Sequence, residues 1–451
     1  MRAIESSARS ARRVLLLRVA AIALLAAACA SPPPPSVLLV VVDTLRRDHL
    51  GVYGYERGTS PALDRLARRG LVFDHHVTHA SQTVPSTVSL LTSRLPADHG
   101  FVHRRLGQFM EKRPHYPENL VFLAEAFEHA GYATAGFISN PFLTRHTGFT
   151  QGFATSRHWP GDRSAEGEEI TQHALEWLRE RDSERPFFLY IHYMDVHQPY
   201  VQPDAFTARF APETDEPPVE SYGRGEGLAR ADLVSTIAHY DAGIAYVDAQ
   251  IGRLIDALDA AGIGDTTIVA VTSDHGEEFL EHGGLGHATT VYGELVLAPL
   301  VLVYPPLLEP GRLIAHTTQH VDVAPTLLEL AGFDRPPEFR GGRLFDPPER
   351  VYAENGSHRA VYGDGYKLVL DRATGAVQLF DVRDTLDASP LGETDERALA
   401  KRQLRQDLDT YLRLEDRREA SKGGGSSGIE PWSESDLERL RVLGYRAPAV
   451  D

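Results

Sequence analysis

Three side chains with metal-binding chemistry come directly after apolar runs of this sequence. Asp43 ends the run SVLLVVVD, and Asp274 and His275 follow the run TTIVAVTS. Two carboxylates and one imidazole suit a divalent cation of intermediate hardness such as Zn²⁺ or Mn²⁺, whereas two aspartates with a water or an amide suit Ca²⁺ better. We therefore predict one divalent metal ion, Zn, Mn or Ca, at these residues. The alternative is that Asp274 and His275 form a surface turn before Gly276.

Further polar side chains follow two other apolar runs. Asn140 follows GYATAGFIS, and Asp195 and His197 follow PFFLYIHY. Ligand sites in open α/β sheets lie outside the carboxyl ends of the strands, so residues far apart in sequence should converge in one crevice. A single Asp after a strand is more often a turn or a helix cap. The joint pattern of these residues nevertheless favours a site.

A hydroxyl group stands at the predicted start of a helix in the segment Ala80–Gly100, ASQTVPSTVSLLTSRLPADHG. Thr83 precedes Pro85, and proline is favoured in the first turn of a helix. A hydroxyl at that boundary faces the positive end of the helix dipole and free backbone N–H groups, where an anionic group would bind. The alternative, which the local sequence alone favours, is that Thr83 is only the N-cap of the helix.

The elements that would position these residues alternate between strands and helices. The apolar runs named above, together with APLVLVY, are typical of strands buried on both faces of a parallel sheet. Helical patterns such as SPALDRLARRG, NLVFLAEAFEHAG and IAHYDAGIAYVDAQIGRLIDALDAAG accompany them. This alternation predicts an α/β domain whose central sheet is mostly parallel and flanked by helices.

The last quarter of the chain has a different pattern. Ala360–Val382 contains short alternating strands joined by turns with glycine, which predicts a smaller C-terminal antiparallel β subdomain. Ser421–Gly428, SKGGGSSG, is typical of a flexible linker. The segment WSESDLERLRVLGY then predicts one amphipathic helix with Leu437, Leu440 and Leu443 on a stripe.

The amino terminus has the pattern of a targeting segment. A basic start precedes the apolar stretch VLLLRVAAIALLAAACA, and Cys29, the only cysteine, stands where a bacterial lipoprotein signal is cut and lipidated. We predict a signal peptide over residues 1–28, a Pro-rich spacer over residues 29–36 and attachment to the bacterial cell envelope through a lipid anchor, periplasmic or at the cell surface. An ordinary secretory peptide is the alternative. The chain has 451 residues and a formal net charge of −17, and its sequence has no basic stripe of the kind that binds nucleic acid. We therefore expect no nucleic-acid partner.

The chain resembles the sulfatase family of the alkaline phosphatase superfamily. The resemblance rests on blocks that occur in the family's order, including VVVDTLRRDHLGVYGYERGTSPALDRLARRG, FFLYIHYMDVHQPY, VTSDHGEEFLEHGGLGHATTVYGELVLAPLVLVYP and HVDVAPTLLELAG. It implies a catalytic α/β domain over residues 37–350 and a β subdomain over residues 351–415. Residues 416–451 are left as the linker and the terminal helix.

Several positions depart from the sulfatase pattern. Sulfatases have Cys or Ser, oxidised to formylglycine, where this chain has Thr83, and Arg where it has Thr87. Thr44 replaces a second metal-binding aspartate, and His275 replaces an amide. Oxidation of a threonine would give a ketone, so we expect no formylglycine. The departures resemble the branch of the superfamily with a direct threonine nucleophile, which includes phosphodiesterases and phosphonate-type hydrolases.

The resemblance implies a mechanism for these residues. A metal held by Asp43, Asp274 and His275 would also bind Thr83, lower the pKa of its hydroxyl and make it the nucleophile. A histidine would protonate the leaving oxygen, with His197 as the first choice and His287 as the second. Asn140 could bind a non-bridging oxygen of the substrate.

Three functions stay open on this basis. The first is hydrolysis of phosphate-type esters, either diesters, monoesters or phosphonates. The second is a sulfatase that hydrolyses sulfate esters. The third is an inactive surface lipoprotein that binds an anionic glycan or lipid, although the presence of every metal ligand argues against it. A transferase role is also open, and the sequence does not determine the oligomeric state.

Overall fold

The computed structural model describes most of the chain, namely residues 33–101, 116, 119–159, 166–210, 218–219, 223–224, 230–421, 432–434, 437, 440, 441 and 443. The predicted signal peptide, Cys29 with residues 30–32 of the spacer, and the predicted linker after Ser421 lie outside the described residues. From Pro35 onward, the chain forms one compact unit by its contacts. Within the described ranges, none of the helices combines the length and the apolar content that a membrane span requires.

The strands are arranged in three sheets. In chain order the strands are β1 (Ser36–Val42), β2 (Leu71–Val77), β3 (Ala133–Ser139), β4 (Thr155–Trp159), β5 (Phe187–Tyr193), β6 (Gly223–Arg224), β7 (Thr267–Ser273), β8 (Glu278–Phe279), β9 (Gly284–Gly286), β10 (Leu297–Ala298), β11 (Leu300–Val303), β12 (Arg312–Gln319), β13 (Val351–Glu354), β14 (His358–Gly363), β15 (Tyr366–Asp371) and β16 (Val377–Asp381). The main sheet has the order β10-β2-β11-β7-β1-β5-β3-β4, with β12 paired to β2. Its central strand β1 runs parallel to both neighbours, β5 and β7.

The described helices cover both faces of the main sheet and one face of a smaller sheet. They are α1 (Pro61–Ala67), α2 (Thr83–Thr92), α3 (Pro96–His99), α4 (Leu123–His129), α5 (Glu166–Glu180), α6 (Asp204–Phe210), α7 (Arg230–Ala260), α8 (Gly293–Val296), α9 (Val323–Leu330) and α10 (Asp395–Ser421). Short 3₁₀ turns lie at Arg47–His49, Gly51–Tyr53, Arg145–Thr147, Gly264–Thr266 and His320–Asp322.

Alternation along β1 explains how apolar cores form on both faces of the main sheet. The odd-numbered residues from Val37 to Val41 pack with side chains of α2, α4 and α9. The even-numbered residues from Leu38 to Val42 pack with side chains of α1, α5 and α7. Because both faces are covered, the strand is a continuous apolar run rather than a polar–apolar alternation. This burial fixes the strand register, and the register in turn positions the residues that follow each strand.

The C-terminal sheet is antiparallel, with the order β13-β14-β15-β16. One of its faces packs on Val77 and on residues of α8 in the main part of the unit. The other face is covered by α10 through Leu404, Leu408 and Tyr411. A third, small sheet joins β6, β9 and β8.

The structure confirms the predicted fold class, an α/β architecture with a mostly parallel sheet and a C-terminal antiparallel sheet. The runs predicted as strands form β1, β3, β5 and β7 with ends shifted by one or two residues. The fifth run is interrupted by Pro299, which has no N–H to donate, and gives β10 and β11. Both pair antiparallel to their neighbours.

Several elements were not predicted from the sequence, among them β2, β12, α5 and α10. Polar residues within β2 (LVFDHHV) and β12 (RLIAHTTQ) interrupt the apolar pattern of a buried strand. The helix α10 runs from Asp395 to Ser421, so the boundary drawn at residue 416 falls inside it. Beyond it, Trp432, Leu440 and Leu443 are buried against the main core.

Candidate active site

Strand register brings Asp43 and Asp274 to the same edge of the main sheet. Val42, the last residue of β1, pairs with Ser273, the last residue of β7. The next residue on each strand is an aspartate, and both side chains are fully buried. The Asp43 N–H donates to the carbonyl oxygen of Tyr193 at the end of β5, at 2.9 Å. The carboxyl ends of three adjacent parallel strands therefore meet at this point.

The Asp43 carboxylate has one oxygen held by the protein and one that is not. The Asn140 side-chain amide donates to Oδ2 at 2.8 Å, and His192 Nε2 lies 3.3 Å from the same oxygen. Asp43 Oδ1 is buried and has no hydrogen-bond partner among the described residues. Burying a carboxylate oxygen without a hydrogen-bond donor costs free energy, so we expect a cation or a hydrogen-bond donor to bind at Oδ1.

Asp274 shows the same division. Its Oδ1 accepts hydrogen bonds from the N–H groups of Thr44, at 3.3 Å, and His275, at 2.9 Å. Asp274 Oδ2 is buried, and no hydrogen bond reaches it from any described residue. The Ser86 hydroxyl donates to the carbonyl oxygen of Asp274 and ties α2 to the end of β7.

His275 Nε2 lies close to both of these oxygens and to the Thr83 hydroxyl. It is 3.8 Å from Asp43 Oδ1, 3.5 Å from Asp274 Oδ2 and 3.3 Å from Thr83 Oγ1. The other ring nitrogen, Nδ1, meets the carbonyl oxygen of Gly276 at 3.0 Å, which makes Nδ1 the N–H donor and Nε2 the lone-pair nitrogen. Two carboxylate oxygens, one imidazole nitrogen and one hydroxyl thus converge, and this donor set fits a divalent cation.

The electrostatics of the two carboxylates also fit a cation. Burial and the negative charge of Asp43 raise the pKa of Asp274 well above its ordinary value. Burial alone would raise the pKa of Asp43 as well, but the hydrogen bond with His192 and the electrostatic interactions with His197 and His275 hold that pKa below its ordinary value. Two buried carboxylates this close cannot both ionise cheaply without a positive charge between them.

His192 is a site residue that the sequence did not reveal. Its donor nitrogen and oxygens of Asp43 and Asp274 all lie within 4.8 Å of one another. Its Nε2 faces Asp43 Oδ2, however, while its Nδ1 meets the Tyr190 hydroxyl at 2.9 Å. We therefore assign His192 to positioning Asp43, and His275 to the ligand set. His192 pairs with Val41, two residues before Asp43. A histidine near the end of an apolar strand was therefore the only local pattern that could have indicated a role at the site.

Thr83 lies at the first residue of α2, and the structure does not support the N-cap alternative. The N-cap position is Gln82, and no side-chain cap hydrogen bond forms there. Thr83 is buried, and its Oγ1 lies next to His275 rather than over the backbone of its own helix. The hydroxyl therefore lies beside the predicted metal ligands, where it can bind the same cation, at the positive end of the helix dipole.

His197 and His287 both lie beside the ligand set. The His287 ring centroid is 4.6 Å from that of His275 and 5.0 Å from that of His197. His197 Nδ1 meets the carbonyl oxygen of Gln198 at 2.6 Å, whereas His287 Nδ1 meets the carboxylate of Glu277 at 3.0 Å. Burial lowers the pKa of both histidines, and burial raises the pKa of Glu277 to about 7. Sequence analysis did not single out Glu277.

Asn140 and Asp195 have partners that the sequence did not predict. The Asn140 amide donates to Asp43, and the Asn140 side-chain oxygen accepts the Phe142 N–H at 2.9 Å. Asn140 therefore positions Asp43, one of the predicted metal ligands. Its role in substrate binding stays a prediction. Asp195 lies away from the ligand set, where its Oδ1 accepts the Gly167 N–H at the start of α5. Burial raises its pKa to about 7.

Comparison with known proteins places this geometry in a family. The model of the family described as Sulfatase matches residues 35–333. Human iduronate 2-sulfatase is 25% identical over 384 residues, covering 66% of this chain and 68% of the relative. The solved structure of BT4656 in complex with its substrate D-glucosamine-2-N,6-O-disulfate matches with a TM-score of 0.74 and 18% identity, over 86% of this chain and all of that one.

A phosphonate monoester hydrolase shares the same fold. The crystal structure of this enzyme from Agrobacterium radiobacter matches with a TM-score of 0.69 and 20% identity, over 84% of this chain and 96% of that one. Members of the matched family are metal-dependent hydrolases that act on ester bonds, in agreement with the convergent donors of the site. The chain belongs to the sulfatase family of the alkaline phosphatase superfamily.

Proposed function

We propose that this hydrolase uses the unmodified Thr83 hydroxyl as its nucleophile. The observation that carries the proposal is the position of Thr83 Oγ1, 3.3 Å from His275 Nε2, which also faces the unpartnered oxygens of Asp43 and Asp274. The hydroxyl thus belongs to the same group of atoms that would hold the cation. Threonine carries a methyl group on Cβ, and its oxidation would give a ketone rather than the aldehyde of formylglycine.

A divalent cation at these donors supplies positive charge that favours ionisation of a nearby hydroxyl and stabilises negative charge on the substrate. Thr83 Oγ1, after it has lost its proton to solvent, attacks the phosphorus or sulfur in line, and a new ester bond forms as the bond to the leaving oxygen breaks. A site histidine, His197 or His287, gives a proton to that oxygen. Water then attacks the Thr83 ester; one of its protons returns to the histidine, and the bond to Thr83 Oγ1 breaks to restore the ionised nucleophile.

The substrate class that we favour is a phosphate-type ester, either a diester, a monoester or a phosphonate. Its support is the sequence of the nucleophile segment, which has Thr83 and Thr87 where sulfatases have Cys or Ser and Arg. A specific observation favours a second candidate, a sulfate ester of a glycan. Human iduronate 2-sulfatase is similar to this chain over 384 residues, and its name gives a sulfated sugar as its substrate.

A panel of 4-nitrophenyl substrates separates the two candidates. The panel contains the sulfate, the phosphate, the bis-phosphodiester and the phenylphosphonate, each assayed with added Mn²⁺ or Zn²⁺. We expect the highest kcat/KM on one of the three phosphorus esters. The highest value on the sulfate would favour the glycan sulfatase instead.

The variant Thr83→Ala tests the nucleophile on the best substrate of that panel. We expect it to lose about 10³-fold or more in kcat, because no other group forms the covalent ester. Thr92→Ala is the matched control, since Thr92 is a buried threonine on the same helix whose hydroxyl donates to the Val88 carbonyl. It should keep its turnover at a temperature below its melting point. Near wild-type turnover in Thr83→Ala would overturn the proposed mechanism.

A further inference from the structure

A second group of side chains with metal-binding chemistry lies outside the ligand set of the active site. Glu278 lies in β8, His282 lies in the turn between β8 and β9, and Glu294 lies in the first turn of α8. Ligand atoms of these three residues lie within 4.8 Å of one another. Glu278 is fully buried, Glu294 is 2% exposed, and the side chain of His282 is 17% exposed. Acidic groups are common without a metal ion, so the hydrogen bonds of each donor decide what this group can hold.

The Glu278 carboxylate is fixed by three donors and keeps one acceptor position open. Its Oε1 accepts the N–H groups of His282, at 3.1 Å, and Gly284, at 2.7 Å. Its Oε2 accepts the Thr289 hydroxyl at 2.7 Å. A carboxylate oxygen has two lone pairs, so Oε1 is fully used and Oε2 has one lone pair left. A Cβ at Gly284 would clash with this carboxylate, so the close approach of the backbone depends on glycine there.

Glu294 provides an oxygen that no donor reaches. Its Oε1 lies 2.8 Å from His282 Nδ1. Its Oε2 is buried and has no hydrogen-bond partner within the described part of the chain. Burying such an oxygen without a partner costs free energy. Because both oxygens belong to one carboxylate, a cation that binds Glu294 beside His282 would give Oε2 its partner.

The ring of His282 is oriented as the ring of a metal ligand. Its Nε2 meets the carbonyl oxygen of Asp387 at 3.2 Å, and a carbonyl oxygen only accepts, so Nε2 carries the N–H. Metal-binding histidines typically donate their second N–H to a carbonyl or a carboxylate, which fixes the ring. Stacking on Tyr292, with ring centroids 3.8 Å apart, holds the same orientation. Nδ1 is thus the nitrogen that faces the two carboxylates.

Either a proton or a divalent cation can join His282 Nδ1 to Glu294. A proton gives a simple ion pair, but it leaves Glu294 Oε2 without a hydrogen bond from the described residues and the charge of Glu278 without a counter-charge. The neighbouring basic side chains are already paired, namely Lys367 with Asp387 and Arg46 with Asp48 and Glu281. A divalent cation offsets both carboxylates and satisfies the open oxygen together.

We propose that Glu278, His282 and Glu294 form a second cation site, for Zn²⁺, that fastens the turn between β8 and β9 to α8. Two carboxylate oxygens and one imidazole nitrogen are ligands that Zn²⁺ takes in proteins, and water supplies a fourth. Because the site has only three protein ligands and a partly exposed histidine, its ion exchanges with solvent and is lost on gel filtration. The inference is independent of the proposed function, since Thr83 is not part of the site.

Equilibrium dialysis of chelator-treated protein against micromolar free Zn²⁺ tests the site, with bound zinc counted by elemental analysis. We expect His282→Phe and Glu294→Gln each to bind one equivalent less than the wild type, because each removes a ligand atom or its charge. Phenylalanine keeps a ring that can stack on Tyr292, and glutamine keeps the shape of the glutamate. Each variant is dialysed below the melting temperature measured for it without metal.

The same change in a second background separates this ion from the active-site ion. Adding His282→Phe to Asp274→Asn should again remove one equivalent, whatever Asp274→Asn does to the other ion. Zn²⁺ should also raise the melting temperature of Asp274→Asn by more than that of the double variant, since a ligand that binds only the folded state stabilises it.

His173→Phe is the matched control for adventitious binding by histidine. His173 Nδ1 also meets a carboxylate, that of Glu176 at 3.1 Å, but both side chains are partly exposed on α5. This variant should bind as much zinc as the wild type. Equal uptake by the wild type and His282→Phe would overturn the proposal and leave His282 and Glu294 as an ion pair. A loss of the same size in His173→Phe would overturn it as well. Neither result bears on the separate test of Thr83→Ala.

Discussion

At the scale of single residues, the site depends on two carboxylates, each of which has one hydrogen-bonded oxygen and one oxygen without a hydrogen bond from any described residue. Asp43 Oδ2 and Asp274 Oδ1 receive hydrogen bonds, while Asp43 Oδ1 and Asp274 Oδ2 have no partner among the described residues. The unpartnered oxygens are those near His275 Nε2. The bonded oxygens fix each side chain, and the open oxygens define where a cation would sit.

Removing one ligand should remove the metal while leaving the fold intact. We expect Asp274→Asn to lower the affinity for a divalent cation by at least about 100-fold, because an amide oxygen carries no charge. Asp195→Asn is the control, since Asp195 also follows a strand but lies outside the ligand set. Elemental analysis of both proteins after purification without chelator measures the effect. Stoichiometric metal in Asp274→Asn would contradict the assigned ligand set.

His192 should act on the metal through Asp43. We expect His192→Phe, which removes the contact to Asp43 Oδ2, to weaken metal binding about 10- to 100-fold. Tyr190→Phe removes only the hydroxyl that meets His192 Nδ1 and should have a smaller effect in the same direction. Competition with a chromophoric chelator measures both affinities. If His192→Phe binds metal as tightly as the wild type, His192 is only a core residue.

At the scale of elements, Glu354 joins the C-terminal sheet to the nucleophile segment and to α10. The Glu354 N–H donates to the carbonyl oxygen of His79 at 3.0 Å, next to a bridge between Glu354 and Ala80. Its Oε2 accepts the Tyr411 hydroxyl of α10 at 2.7 Å, and Arg359 lies nearby. The segment that leads to Thr83 is therefore held by the last part of the fold.

This position makes stability depend on pH in a defined direction. Burial raises the pKa of Glu354 to about 7, from an ordinary value of 4.5, so the folded state holds its proton longer than the unfolded state. As pH rises from about 4.5 to 7 the unfolded chain ionises first, and this contribution to stability is lost through that window. We expect Glu354→Gln, which cannot ionise, to gain up to about 3 kcal/mol relative to the wild type between pH 4.5 and 8.

Urea unfolding of both proteins at a series of pH values measures that difference. The control is Glu396→Gln, a change at a carboxylate whose contact with Tyr366 is exposed. Its unfolding free energy should follow that of the wild type at every pH. A constant difference between Glu354→Gln and the wild type from pH 4.5 to 8 would contradict the prediction.

At the scale of the whole molecule, the length of β1 separates the start of the compact unit from the site. The compact unit begins at Pro35, at the amino end of β1, and Asp43 follows the carboxyl end of the same strand. Seven strand residues at about 3.3 Å each put roughly 23 Å between these ends. The ligand set therefore opens at the edge of the sheet opposite to the point where the chain enters it.

Loss of the anchor should change location without changing the chemistry. We propose that Cys29 is lipidated, and we expect Cys29→Ser to move the protein from the membrane fraction to the soluble fraction. Because Asp43 lies at the far end of β1, kcat/KM on a soluble aryl ester should stay within about twofold of the wild type. Fractionation, mass spectrometry of the amino terminus and the ester assay test both parts. Wild-type protein that is wholly soluble with an unmodified Cys29 would contradict lipidation.

The sequence by itself determined which residues follow the central strands. Continuous apolar runs that end in polar residues predicted β1, β3, β5 and β7, because strands covered on both faces must be apolar along their whole length. The rule that ligands bind at carboxyl strand ends then selected Asp43, Asp274 and His275, and the structure brings their side chains together. This inference needed only local pattern and topology.

Tertiary structure alone decided which atoms face each other. In the sequence, His192 looks like any core residue of β5. Only the register between β5 and β1 brings its Nε2 to the Asp43 carboxylate. Glu277 and His287 are ten positions apart on a loop, and only its folded path joins them. Directional contacts of a few ångströms depend on side-chain rotamers and on loop paths, which are fixed by packing against distant segments and leave no local pattern in the chain.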